Sequence, residues 1–90
     1  MKIYCLDFET YYSQTYSLTK LTTEEYIRGA EFEVIGVAVA EEGSGPQWFS
    51  GTREDTKQWL EQFEFEKHMV IAHNAMFDMA ILSWIFDIRP

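Results

Sequence analysis

Two acids stand one side chain apart in the opening run KIYCLDFET, Asp7 and Glu9, and a third, Asp78, lies far downstream in AHNAMFDMAIL. All three interrupt apolar segments, where a carboxylate buried without a partner costs more than a small core recovers. A divalent cation is the simplest partner. Alternate residues of a strand share a face, so Asp7 and Glu9 can converge on one ion while Leu6 and Phe8 turn the other way into packing. Hard oxygen ligands of this kind suit Mg²⁺ or Mn²⁺. The plainer alternative ends the strand at Asp7 and leaves Glu9 as a solvated loop acid, and the spacing alone does not decide between them.

The third acid sits in a context of its own. MVIAHNAMFDMAILSWIF reads as a short buried strand over Met69 to Ala72, an exit at His73 and Asn74, and a helix from Ala75 to about Phe86 that Asn74 caps. Asp78 then falls on the first turn. Phe77, Ile81, Leu82, Trp84 and Ile85 make that helix apolar over most of its circumference, so a lone acid there is conspicuous. As a mere partner of the helix dipole it contributes a few tenths of a kcal/mol to about 1.

The elements that position these acids follow from pattern. Lys2 to Phe8 is the first strand, and Glu31 to Ala40 is a β-branched second one. Glu41 to Pro46 is a turn, after which Gln47 to Phe49 return as a third strand, a meander that suits an antiparallel hairpin joined to a parallel sheet. A helix opens at Thr52, with Asp55 completing an imperfect capping box. Thr56, Trp59, Leu60 and Phe63 bury one side of it, and Glu54, Lys57, Gln58 and Glu61 form its wet side. A strand from about Lys67 to Ala72 and the Asp78 helix complete the order. Tyr11 to Ala30 form an insert between the first two strands, in which Thr22 and Glu25 make a capping box for a short helix through Arg28, ended by Gly29.

Asp7-Phe8-Glu9-Thr10 resembles the first motif of the DEDD 3′-5′ exonucleases, and His73-Asn74-Ala75-Met76-Phe77-Asp78 resembles the second, whose core is Asn-x-x-x-Asp with an aromatic before the Asp. With the tyrosine-rich stretch after Thr10 and FEVIGVAVA, the whole chain is similar to the amino-terminal proofreading domain of bacteriophage family A DNA polymerases. The resemblance implies an α/β fold, an RNase H-like mixed sheet with flanking helices, in which the first strand lies near the sheet centre and Asp7 and Asp78 meet at one edge. It implies two Mg²⁺ or Mn²⁺ ions about 3.5 to 4 Å apart that assist phosphodiester hydrolysis. Asp7 would ligate both, Glu9 one and Asp78 the other. Thr10, Tyr11 and Asn74 would bind the 3′-terminal nucleotide. Tyr11, Tyr12, Tyr16 and Tyr26 could stack on bases, worth about 1 to 3 kcal/mol each where that happens, but packing of the insert onto the sheet accounts more simply for most of them, Tyr11 excepted. His73 is read as structural.

The family pattern also carries a fourth acid on a later helix, preceded by a Tyr or His, and nothing here supplies it. Asp87 follows Phe86 but comes too soon after Asp78. Residues 1–90 are therefore expected to be the amino-terminal part of one exonuclease domain, inactive alone, whose polymerase module in the parent chain would deliver a DNA 3′ end. The alternatives are a stand-alone DEDD exonuclease acting on RNA or single-stranded DNA, and a non-catalytic scaffold.

Composition is that of a folded protein, 47% hydrophobic with seven Phe, five Tyr and three Trp. A formal charge of −8 and only seven Lys plus Arg leave no basic stripe for phosphates, which argues against tight nucleic-acid binding by this chain alone. The apolar runs are short and broken by acids, giving no membrane or secretory segment and an expected place in the cytoplasm, the host's if the source is a phage. Cys5, the lone cysteine, is expected to be a buried thiol in a reducing compartment. Loss of a later strand and helices would expose apolar surface near Trp84, Ile85 and Phe86 and favour self-association.

Overall fold

β1 (Ile3–Thr10) has a strand on each side, antiparallel β2 (Val34–Glu41) and parallel β4 (Met69–Ala72), and β2 in turn pairs with the short antiparallel β3 (Gln47–Phe49). The structure, a computed structural model, describes all of residues 1–90. It is a small α/β domain with a mixed four-stranded sheet in the order β3-β2-β1-β4. Its helices are α1 (Thr23–Arg28), α2 (Arg53–Glu61) and α3 (Ala75–Trp84), with a 3₁₀ turn at Phe65–Lys67 before β4. No helix is long and apolar enough to cross a membrane.

Period-two alternation decides which way β1 faces. Tyr4, Leu6 and Phe8 are buried beside Val37 and Val39 of β2, in one core with Tyr26 and Ile27 of α1, Leu60 of α2, and Phe77, Ile81 and Leu82 of α3. Cys5, Asp7 and Glu9 point to the opposite side, across from Ala40, Ala38 and Gly36. β1 runs on through Thr10, so Glu9 belongs to the strand rather than to a loop. Cys5 is exposed, contrary to the buried thiol expected, because its parity places it on the sheet face that no helix covers.

Other boundaries shift for local reasons. β2 begins at Val34, three residues later than its pattern suggests, because the register slips at Glu9/Thr10 and Phe32 turns into the core before pairing starts. α1 has the full capping box: the Glu25 N–H donates to the Thr22 hydroxyl at 3.1 Å, and the Thr22 N–H donates to the Glu25 carboxylate at 2.9 Å. Gly29 ends α1 in extended backbone rather than a left-handed cap. Its missing Cβ makes room for the Tyr16 hydroxyl, which donates to the Tyr26 carbonyl.

At α2 the Thr52 hydroxyl accepts from the Asp55 N–H at 3.0 Å without the reciprocal bond. Leu60 and Thr56 are fully buried, whereas Trp59 is half-buried, stacked on Phe49 with ring centres 5.2 Å apart. α3 ends at Trp84, and beyond it Phe86 turns inward to stack on Phe8 at 5.7 Å. The apolar surface expected around Phe86 is therefore closed by the chain itself. Trp84 remains partly open, with the Arg28 guanidinium 4.4 Å above its ring.

Candidate functional site

Where β1 and β4 end side by side, the chain builds a cavity of about 390 Å³. Asp7, Glu9 and Thr10 enter it from β1, and His73, Asn74 and Asp78 from the β4–α3 junction. Parallel pairing does this: Leu6 stands opposite Ala72, so the residues that follow each strand emerge at the same edge. The junction is fixed by the His73 N–H, which donates to the Leu6 carbonyl at 3.1 Å.

Asn74 caps α3 as its position suggests, its side-chain oxygen accepting from the Phe77 N–H at 3.5 Å. Asp78, on the first turn, is only 1% exposed. One carboxylate oxygen accepts the Phe8 N–H at 3.1 Å, and the other accepts the Asn74 N–H at 2.9 Å. A buried carboxylate thus joins β1 to the cap of α3. Burial pushes its pKa above the usual carboxylate value; the two N–H donors and nearby His73 pull it back down, and Asp7 pushes it up further. Asp7 is half-buried and Glu9 exposed.

The donor chemistry fits a hard cation. Mg²⁺ keeps several waters and takes one or two carboxylates, which the open Asp7 and Glu9 provide. In this arrangement no three His, Cys, Asp or Glu side chains stand close enough together to hold an ion. Asp78 spends a lone pair of each oxygen on a backbone N–H, leaving others free to accept.

The insert closes the cavity from the side. Tyr12, Ser17 and Leu18 line it together with Tyr26 and Phe77. Thr10 lines it as well, with its hydroxyl 2.8 Å from the Tyr26 hydroxyl. Tyr11 does not: its ring lies against Tyr16, its N–H donates to the Glu33 carbonyl, and its carbonyl accepts the Tyr26 hydroxyl. Its neighbour Tyr12, 75% exposed, takes the place at the wall. The insert's tyrosines divide evenly, Tyr16 and Tyr26 packing in the core and Tyr11 and Tyr12 remaining open. The Thr22 capping box signals where Tyr26 falls, one turn into α1; Leu18 lies in an irregular stretch where no periodicity marks it.

No protein-family model matches this chain, and no curated protein matches it in sequence.

Proposed function

We propose that this chain supplies the first three acids of a metal-dependent 3′-5′ exonuclease site of the DEDD type, within an RNase H-like domain acting on the 3′ end of single-stranded or frayed DNA. One observation carries the reading. Asp7, Glu9 and Thr10 share a single cavity with Asn74 and Asp78, more than sixty residues away, at the end of β1, an inner strand of the sheet. The strand order, with the first strand flanked by the second and the fourth, supports the RNase H-like assignment.

In this reading Asp7 and Glu9 would hold Mg²⁺ or Mn²⁺, and Asp78, whose oxygens accept the Phe8 and Asn74 N–H groups, would reach the ion only through its remaining lone pairs and with a closer approach of the three carboxylates than the present arrangement has. The bound metal supplies water activation and charge stabilisation in phosphodiester hydrolysis. Thr10 and Asn74 orient the terminal nucleotide. Tyr12 and Leu18 exclude water along the open side. No residue of this sequence provides the family's fourth acid with its Tyr or His, so residues 1–90 alone bind Mn²⁺ weakly and hydrolyse DNA negligibly. A polypeptide that also carries that acid, as a proofreading DNA polymerase would, is the active form.

Titration of the chain with Mn²⁺, followed by calorimetry, tests the site: saturable binding that disappears in Asp7→Ala is the expected outcome. Absence of saturable binding, or binding indifferent to Asp7→Ala, overturns it. A non-catalytic scaffold is the competing reading, favoured by the two backbone bonds that already occupy Asp78, and the same titration separates the two. Release of 3′ nucleotides from 5′-labelled single-stranded DNA by the 90-residue chain at the rate of an intact exonuclease would show the fourth acid to be dispensable.

A further inference from the structure

Tyr26 brings a hydroxyl to the cavity wall that packing alone does not require. Its side chain, 2% exposed on α1, is fixed from several directions: the Phe32 ring stands edge-on with centres 5.6 Å apart, the Phe77 ring lies at 5.9 Å, and the Tyr26 carbonyl accepts the Tyr16 hydroxyl. A phenol has one proton to donate. That of Tyr26 goes to the Tyr11 carbonyl, which has none to return. The Thr10 hydroxyl, 2.8 Å from the Tyr26 oxygen, is therefore the donor of that pair. Its only proton is committed to Tyr26, and lone pairs alone remain for a ligand in the cavity that both residues line.

The place of Thr10 tells which part of a nucleotide meets those lone pairs. Strand parity sets it with Phe8 rather than with Asp7 and Glu9, and the register slips between Glu9 and Thr10, an irregularity of the kind that re-aims a side chain beside a site. The carboxylates and their ion take the phosphate, whereas Leu18, Phe77 and the Tyr26 ring suit a sugar and a base. We propose that Tyr26 is a positioning residue that fixes Thr10 as a hydrogen-bond acceptor, so that the site selects a terminal nucleotide whose sugar offers a donating hydroxyl and disfavours one offering only an acceptor. An acceptor at that place would set lone pairs against lone pairs. The inference rests on the nucleotide reading above, and adds to it which residue decides the fit of the sugar.

Thymidine 5′-monophosphate and its 3′-fluoro-3′-deoxy analogue, which carries an acceptor in place of the hydroxyl, are titrated into the chain in excess Mg²⁺ and followed by amide chemical shifts. The hydroxyl nucleotide should bind about threefold to tenfold more tightly, the effect of one neutral hydrogen bond. In Tyr26→Phe the Thr10 proton is free to turn into the cavity, so the fluoro analogue should gain and the ratio fall towards one. Thr10→Val removes the acceptor while leaving the buried phenol in place and should also bring the ratio to one; it carries the test if Tyr26→Phe does not fold. A purely structural role would weaken both ligands alike and keep their ratio. Equal affinities in the wild type, or the wild-type ratio retained in either folded variant, overturn the proposal. So does absence of nucleotide binding at millimolar concentration: if Mn²⁺ still binds saturably through Asp7 the metal reading stands without this inference, and if it does not, both fall.

Discussion

Asp78 has a structural duty that its place in a metal-binding pattern does not suggest. Three carboxylates brought together without a cation repel, so removing one could be expected to leave stability unchanged or higher. The hydrogen bonds oppose this for Asp78, whose oxygens satisfy the N–H groups of Phe8 and Asn74. A buried donor left unpaired costs about 1 to 3 kcal/mol. Asp78→Ala should therefore lower the denaturant midpoint in metal-free buffer, whereas Asp7→Ala, at a half-buried residue, should leave it nearly unchanged. Equal midpoints for the two variants would rule out the clamp. The pH dependence has a definite sign. Because the folded pKa of Asp78 is raised above its ordinary 3.8, the native state binds the proton more tightly than the unfolded chain. Its contribution is fully present below the unfolded pKa and is lost as pH rises through the folded value. The stability of the wild type relative to Asp78→Asn should accordingly increase on acidification through that window, measured by paired urea titrations.

Elements contribute through how completely they bury their apolar side. Leu60 of α2 is fully enclosed, so Leu60→Ala should cost about 2 to 5 kcal/mol. Trp59 neighbours it in sequence but is half-buried against Phe49 and Phe63, and Trp59→Ala should cost less than the roughly 3 to 5 kcal/mol of an enclosed tryptophan. Urea unfolding of the two variants ranks them directly. Gly36 on β2 is a second discriminating position. Gly in a strand interior ordinarily destabilises by about 0.5 to 1 kcal/mol relative to Ala. Here an added Cβ would overlap the Trp48 ring and stand 2.9 Å from the Phe49 carbonyl. Gly36→Ala should therefore destabilise, detach β3 from β2, and change the Trp48 fluorescence. A rise in melting temperature would show the ring to be free to move aside.

Across the whole molecule, charge and size set the conditions for folding. Ninety residues bury about 60 to 65% of their extended surface, which leaves a small margin, and a formal charge of −8 adds self-repulsion. Raising salt from about 0.01 M to 0.15 M shortens the Debye length from roughly 30 Å to 8 Å, so melting temperature should climb over that range. A fall would place the dominant charge effect in attractive surface pairs such as Lys67–Glu64, 2.7 Å apart. Mn²⁺ should raise melting temperature further and chelator should reverse it, with no such shift in Asp7→Ala, because a ligand that binds only the native state stabilises it by mass action.

Element types and the two clusters of candidate residues were legible in the sequence because each rests on local physics. Alternation set Leu6 and Phe8 against Asp7 and Glu9, the Thr22, Thr52 and Asn74 caps opened their helices, and apolar periodicity marked Leu60, Ile81 and Leu82 for burial. Tertiary structure decided what depends on contacts distant in sequence. Cys5 is open because no helix covers its side of β1; Phe86 is closed because the chain after α3 folds back onto Phe8. Tyr12 rather than Tyr11 lines the cavity because Tyr11 is held by Glu33, Tyr16 and Tyr26. A one-residue change of parity or a turn of chain reverses the exposure of each such group, and pattern along the sequence specifies the period of burial without specifying which of two faces another element will cover.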